Sequence, residues 1–253
     1  MRDIAPISTL DASGRAVAVA ARFNGWGGRF PCELDQLLPT LLARRLDLPL
    51  QRLELCTEGG ALESNGEGLM LTTRSALLAA NRRNPDPTVI ERRLSEAFGP
   101  HQLAWLDKGL VGDHTDGHID NLARFTSPSQ LVALNPSLAG HHPDQARLQV
   151  NWQLLQQLVD DQSALDLVGL PALGLRLNGQ PVPASYANFY IAPGLVLVPA
   201  FGHNADQEAC SILADLLPGR QVISLDCRAL IGHGGGLHCL AQPLRLTPRG
   251  DNR

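Results

Sequence analysis

Cys239 closes the run Gly232-His233-Gly234-Gly235-Gly236-Leu237-His238-Cys239. A cysteine attacks carbon as its thiolate, a form favoured by nearby positive charge or a cationic ligand. The glycine backbone N–H groups ahead of it can approach a bound group closely. In isolation Cys239 reads equally well as a small buried apolar thiol, which is the expectation for Cys32, Cys56, Cys210 and Cys227. His118 and Asp120 stand two apart in Gly117-His118-Ile119-Asp120-Asn121, and in an extended segment such side chains share one face. As a pair they could move a proton and hold a cationic group; alone, a His-x-Asp is more often a solvated strand face. Asp3 and Glu58, the latter followed by Gly59-Gly60, are ordinary surface or capping acids unless the fold brings them to one place. His114 and His118, with Asp113, Asp116 and Asp120, form an HxxxH cluster that could hold zinc on a helix. Gly117 and the alternating residues that follow argue against a helix there, and no metal site is expected. The glycine run is no phosphate loop either, since no GK[ST] follows it.

Residues so far apart can meet only if the intervening elements position them. Strand-like alternation over Ile4–Leu10 and Ala16–Ala21 brackets the turn Asp11-Ala12-Ser13-Gly14. Spacing by three and four then predicts a helix over Glu33–Leu46, and Leu50–Cys56 reads as a third strand. The same order restarts at Gly60–Ser64, with strand Leu69–Thr73, helix Val89–Phe98 stopped by Gly99-Pro100, and strand His101–Leu106. It restarts again at Gly117–Phe125, with strand Gln130–Leu134, helix Pro143–Asp161 and a strand near Leu165–Val168. The fourth copy has strands Tyr186–Ala192 and Leu195–Phe201, helix Asp206–Leu217 and strand Gln221–Leu225. Leu237–Leu240 resembles the first strand of a fifth. A ββαβ unit recurring at roughly 55 to 70 residues suggests blades around an axis, because one unit cannot cover both faces of its own sheet. A single mixed sheet with helices packed on it is the alternative. In the bladed arrangement Asp3, Glu58, His118, Asp120 and Cys239 all sit where first strands begin, so that they converge at one end of a central cavity.

Bulk composition is compatible with one domain spanning residues 1–253. Hydrophobic residues make up 44% and charged residues 18% of the 253, enough apolar material for a sizeable core. The formal charge of −4 and the lack of a Lys/Arg run argue against a nucleic-acid or anionic-membrane surface. No apolar stretch is long enough to span a bilayer, and the first residues carry no signal-peptide core. Five scattered cysteines without a CxxC pair fit a reduced, cytoplasmic protein. Association into a homo-oligomer is left open.

Six blocks in order resemble the agmatine deiminases and the related bacterial-type peptidylarginine deiminases. They are Arg2-Asp3-Ile4-Ala5-Pro6, Phe23-Asn24-Gly25-Trp26-Gly27-Gly28, Glu58-Gly59-Gly60 with Asn65-Gly66-Glu67-Gly68, Thr115-Asp116-Gly117-His118-Ile119-Asp120-Asn121, Ser185-Tyr186-Ala187-Asn188-Phe189-Tyr190, and Gly234-Gly235-Gly236-Leu237-His238-Cys239. The resemblance covers essentially the whole chain. It implies a five-bladed α/β propeller of ββαβ units, the pentein type. It also implies Cys239 as nucleophile, His118 as general acid and base, and Asp3 and Asp120 gripping the guanidinium with Glu58 beside them. Trp26, Gly235 and Gly236 would line the substrate pocket. The implied reaction converts a small cationic guanidine, agmatine above all, into a ureido product (N-carbamoylputrescine) and ammonia, with no cofactor and no metal.

The resemblance also implies a segment ahead of Arg2 that completes the last blade. Without it the expectation is a propeller incomplete at the N-terminus, with an open sheet edge beside Cys239 and an unanchored Asp3. His114 stands where the family more often carries an acid. Two other functions compete: deimination of peptidyl-arginine or another guanidine, and a catalytically silent propeller remnant.

Overall fold

The computed structural model describes residues 1–139, 142–162 and 164–246. Four three-stranded sheets follow one another along the chain, all on one plan. The first two strands pair antiparallel, and the third returns parallel to the second after a helix. In the first sheet Ile7–Leu10, Ala16–Arg22 and Leu50–Cys56 are joined through helix Leu38–Leu46. In the second, Glu63–Ser64, Leu69–Thr73 and Gln102–Leu106 are joined through helix Pro87–Phe98. The third comprises Ala123–Ser127, Gln130–Leu134 and Asp166–Leu170 with helix Gln145–Asp161. The fourth comprises Tyr190–Ala192, Leu195–Ala200 and Gln221–Asp226 with helix Ala205–Leu216. An additional hairpin pairs Arg176–Leu177 with Gln180–Pro181 through Asn178 and Gly179, both at positive φ, as a two-residue Asn-Gly turn requires.

Local chemistry sets these boundaries. Asp86 accepts a hydrogen bond from the Val89 N–H, Pro87 occupies the first helical turn, and Gly99 ends the helix in the left-handed region at φ 74°. The middle strand Leu69–Thr73 is buried along its whole length, the signature of a strand covered on both faces. Helix Pro87–Phe98 sends Ile90 and Leu94 into a cluster with Leu53 and Leu55 of the preceding sheet's last strand. Helix Gln145–Asp161 packs in the same way on Gln102–Leu106. These two helices therefore tie the second and third sheets to the ones before them. The largest core runs through the third and fourth sheets, with Leu131, Leu148, Leu155, Tyr186, Phe189, Val196 and Leu213 among its members.

The recurring ββαβ plan is the one expected, but every first strand starts later than the sequence suggests. Gly60–Ser64 is strand only at Glu63–Ser64, and a 3-10 turn occupies Gly59–Ala61. His118 and Asp120 are not on a strand: a 3-10 turn covers Ile119–Asn121 and the strand begins at Ala123. Tyr186–Asn188 is likewise a 3-10 turn ahead of Tyr190–Ala192. Leu237–Leu240, expected as a strand, is a single helical turn, and the first strand opens at Ile7 rather than Ile4. Helix Glu33–Leu46 is regular only from Leu38, after a 3-10 turn at Asp35–Leu37. Alternation cannot distinguish a strand from a tight turn leading into one. Here side-chain to backbone bonds such as Thr115 Oγ1 accepting from the His118 N–H, and Ser185 Oγ accepting from the Ala187 N–H, fix the turns. Among the described residues no helix is long and apolar enough to cross a membrane.

Candidate active site

The candidate site residues lie in turns, four of them ahead of first strands. Asp3 lies in a turn ahead of Ile7–Leu10, Glu58 immediately before Gly59–Ala61, His118 and Asp120 around Ile119–Asn121, and Cys239 in Leu237–Leu240. The structure brings all five together. A Cβ added to Gly60 would lie 2.5 Å from His118 Nδ1, 3.0 Å from Asp3 Oδ1 and 3.1 Å from Asp120 Oδ2. Asp120 Oδ2 in turn lies 3.8 Å from Cys239 Sγ. Glycine at position 60 is what allows the imidazole and two carboxylates to crowd around the backbone.

Asp3 is anchored, contrary to expectation. Its Oδ1 accepts from the Gly60 N–H at 2.9 Å and its Oδ2 from Trp26 Nε1 at 2.9 Å. The neighbouring Arg2 N–H donates to the Cys239 carbonyl at 3.1 Å. Trp26 reaches Asp3 from a left-handed backbone conformation, φ 53° and ψ 50°, and packs edge-on against His114 with ring centroids 5.1 Å apart. His114 thus serves as an aromatic neighbour, whereas His118 turns away from it towards acids.

His118 is fully buried. Its Nε2 lies 3.3 Å from Glu58 Oε2 and its Nδ1 3.8 Å from Asp3 Oδ2. Burial disfavours the imidazolium, but the carboxylates of Asp3, Glu58 and Asp120 outweigh it and hold the pKa up at about 10. Glu58 spends its other oxygen on Arg82, whose Nε lies 3.1 Å away. Arg82 is fixed further by Asp116 at 2.9 Å and by the Thr115 carbonyl at 2.9 Å. Glu58 is therefore committed to His118 and Arg82 in this structure.

Asp120 is buried, and burial pushes its carboxyl up to about 7. Its Oδ2 faces His238 Nδ1 at 2.8 Å, while its Oδ1 is buried without a hydrogen-bond partner. A buried oxygen left unpaired is costly unless something binds there. The Cys239 thiol is partly buried, and burial together with the charges of Asp120 and Asp3 pushes its pKa well up. Hydrogen bonds from the Gly236 backbone and Asn188 pull in the opposite direction. Gly235 backs the thiol: a Cβ there would meet Cys239 Cβ at 3.4 Å. At Gly236 a Cβ would sit 2.5 Å from Asn188 Oδ1, so only glycine admits the asparagine. Of the other thiols, Cys56 and Cys227 are buried as expected, whereas Cys32 and Cys210 are only partly so.

Two residues at the centre were missed in the sequence. Asn188 accepts at Oδ1 from the His238 N–H at 3.0 Å, and its Nδ2 donates to Asn121 Oδ1 at 3.0 Å and to Cys239 Sγ at 3.3 Å. It occupies, in the fourth unit, the turn position from which the other units supply Glu58, Asp120 and Cys239. The repeat itself was the signal that could have found it. His238 gave no such signal, since a histidine beside a thiol reads as easily as a solvated neighbour.

Comparison with known proteins follows the same segments. Residues 1–244 match the family described as Porphyromonas-type peptidyl-arginine deiminase. A Legionella pneumophila (strain Paris) protein provisionally named agmatine deiminase is 34% identical over 226 residues, 87% of this chain and 64% of that one. A Vibrio parahaemolyticus protein under the same provisional name is 30% identical, with 96% and 74% of the two chains covered. Among solved structures, a cysteine-to-serine variant of C. jejuni agmatine deiminase with substrate bound superposes with a TM-score of 0.83 at 31% identity, over 94% of this chain and 70% of that one. A provisionally named arginine deiminase from Porphyromonas gingivalis gives 0.85 at 36% identity, over 94% and 73%. The chain spans 64% of the length of the Legionella relative. With a match that runs from the Asp3 turn through the Cys239 turn, the chain belongs to the Porphyromonas-type peptidyl-arginine deiminase family.

Proposed function

We propose that the protein hydrolyses the guanidinium group of a small cationic guanidine, agmatine foremost, to a ureido product and ammonia through a covalent Cys239 intermediate. The observation that carries this reading is the unpaired, buried Asp120 Oδ1 in a cluster with Asp3, a cationic His118 and the Cys239 thiol. A planar cation with several N–H donors satisfies such carboxylates and holds its carbon beside the sulfur.

The thiol is held protonated by the same acids, so an incoming guanidinium performs two tasks. It neutralises the field of Asp3 and Asp120, lowering the thiol pKa, and it presents the electrophilic carbon. The thiol gives its proton to solvent, and the thiolate adds to that carbon to give a neutral tetrahedral adduct. His118, already an imidazolium, protonates one nitrogen, the C–N bond breaks, ammonia leaves, and an S-alkylated thiouronium remains on Cys239. Neutral His118 then takes a proton from water as its oxygen adds to the same carbon. The C–S bond breaks, the hydroxyl proton passes to the departing thiolate to restore the thiol, and the ureido product leaves. Water is the only co-reactant, so the reaction needs no metal or organic cofactor. Glu58 keeps the imidazole oriented through both steps and favours its charged form before the first and after the second.

The four ββαβ units, with the Cys239 turn placed as the lead-in to another, are read as blades of a five-bladed ring. Agmatine is favoured over peptidyl-arginine by the names of the Legionella and Vibrio relatives. Turnover of agmatine and of a blocked arginine peptide, each competing with the other, tests the choice. N-carbamoylputrescine with one equivalent of ammonia is expected. Preferential turnover of the peptide overturns the substrate, and no product from either overturns the activity.

A further inference from the structure

Asp120 is asymmetric in a way the reaction itself does not explain. One oxygen is pinned by His238 Nδ1 at 2.8 Å, and the other is buried with no partner. His238 is itself immobilised at both ends of its backbone. Its N–H donates to Asn188 Oδ1 at 3.0 Å, and its carbonyl accepts from Arg2 Nε at 2.8 Å. We propose that His238 is a positioning residue for Asp120, fixing Oδ2 so that Oδ1 is presented to a guanidinium N–H. This rests on the deiminase reading above.

The charges around the pair support it. Burial, with Arg124, Arg2 and His118 facing the ring, pushes the His238 pKa well down and keeps it neutral. When Asp120 is ionised a neutral imidazole can meet it only through an N–H, so in that state Nδ1 carries the proton and donates. Asp120 is faced by His118, Asp3, Arg2 and Arg124 as well as by His238, and it lies 3.8 Å from Cys239 Sγ. Without the His238 donor, Oδ2 would have only the weak thiol bond to hold it. The carboxylate could then rotate about χ2, and its charged form would lose a stabilising hydrogen bond. Because His238 directly precedes the nucleophile, one helical turn sets both the sulfur and the clamp that brings carbon to it.

The test compares His238→Leu, which removes the donor, with His238→Asn, whose amide N–H reaches the place of Nδ1. His238→Gln, whose amide reaches the place of Nε2, substitutes for the leucine variant should that one not fold. For the leucine variant kcat/KM towards agmatine should fall about ten- to a hundredfold, as for loss of a hydrogen bond to a charged group. The acidic limb of its kcat/KM profile should move to higher pH by roughly one unit, since a carboxylate that loses a donor becomes a weaker acid. Carbon NMR of the Asp120 carboxyl should show the same shift, and His238→Asn should reverse most of both. A merely structural loss would lower the rate without moving the limb. An Asp120 titration unchanged across the variants, or an asparagine variant indistinguishable from leucine, overturns the proposal. If the carboxyl moves as expected but the unaltered protein releases ammonia from no guanidine, His238's hold on Asp120 stands and the deiminase reading is what fails.

Discussion

At the scale of single residues, the thiol and the carboxylates oppose each other until a cation arrives. Burial is the larger cause of the raised Cys239 pKa, and the Asp120 charge comes next. Replacing that charge in Asp120→Asn should lower the thiol pKa and speed labelling by iodoacetamide at neutral pH, even as turnover is lost. Labelling no faster than in the unaltered protein would show that the Asp120 charge does not reach the sulfur. His118 works in the opposite direction. The folded protein keeps its proton up to about pH 10, whereas an unfolded chain releases it near 6.5. In that window the native state holds the extra proton, so this contribution to stability is complete below pH 6.5 and is lost as pH rises towards 10. Denaturant midpoints should therefore decline between those limits, and the decline should flatten in His118→Asn; parallel curves would contradict the assignment. Cys239, His118, Asp120, Asp3 and Glu58 were legible in the sequence because their types suit the chemistry and their blocks resemble a known family. His238 was not, because a neutral hydrogen-bonding residue has no signature until its partners are in view, and Asn188 was marked only by its place in the repeat.

At the scale of elements, the ββαβ order was readable from periodicity and turn residues, and the structure repeats it four times. The turns ahead of the first strands were not, since residues such as Gly60 and Ile119 continue an alternating pattern while side-chain bonds bend the backbone beneath them. These turns bring the candidate site residues together, and Gly60 is the sharpest probe of them. A methyl group there would press on His118 Nδ1 at 2.5 Å. Gly60→Ala should reduce kcat/KM by a hundredfold or so, as misplacement of about 1 Å does, while far-ultraviolet circular dichroism stays unchanged. Full activity would place the catalytic imidazole elsewhere. A cap distant from the site should behave oppositely. Asp86→Ala, which removes the bond accepted from the Val89 N–H, should cost about 1 kcal/mol of stability and leave KM alone.

At the scale of the whole molecule, the helices of the second and third units pack back on the preceding sheets, and a buried ion pair ties the second, third and fourth units. Arg124 Nε donates to Glu63 Oε2 at 2.9 Å, Arg124 Nη1 donates to the Phe189 carbonyl at 2.7 Å, and Glu63 Oε1 accepts from the Phe125 N–H. Three consecutive units therefore meet at one guanidinium. Arg124→Met should leave the Glu63 carboxylate uncompensated and cost about 3–5 kcal/mol, visible as a lower urea midpoint; a loss below about 1 kcal/mol would mean that solvent reaches the pair. Such long-range ties hold five turns, from Asp3 to Cys239, in register around one point. Whether that point is a reaction centre is tested most directly by acid-quenching the protein during turnover of agmatine and weighing the peptide that contains Cys239. A transient mass increase equal to agmatine less ammonia is expected on Cys239, absent in Cys239→Ser and decaying as N-carbamoylputrescine appears. Product formation in the Cys239→Ser variant, or turnover with no adduct on Cys239 at any time, would contradict it.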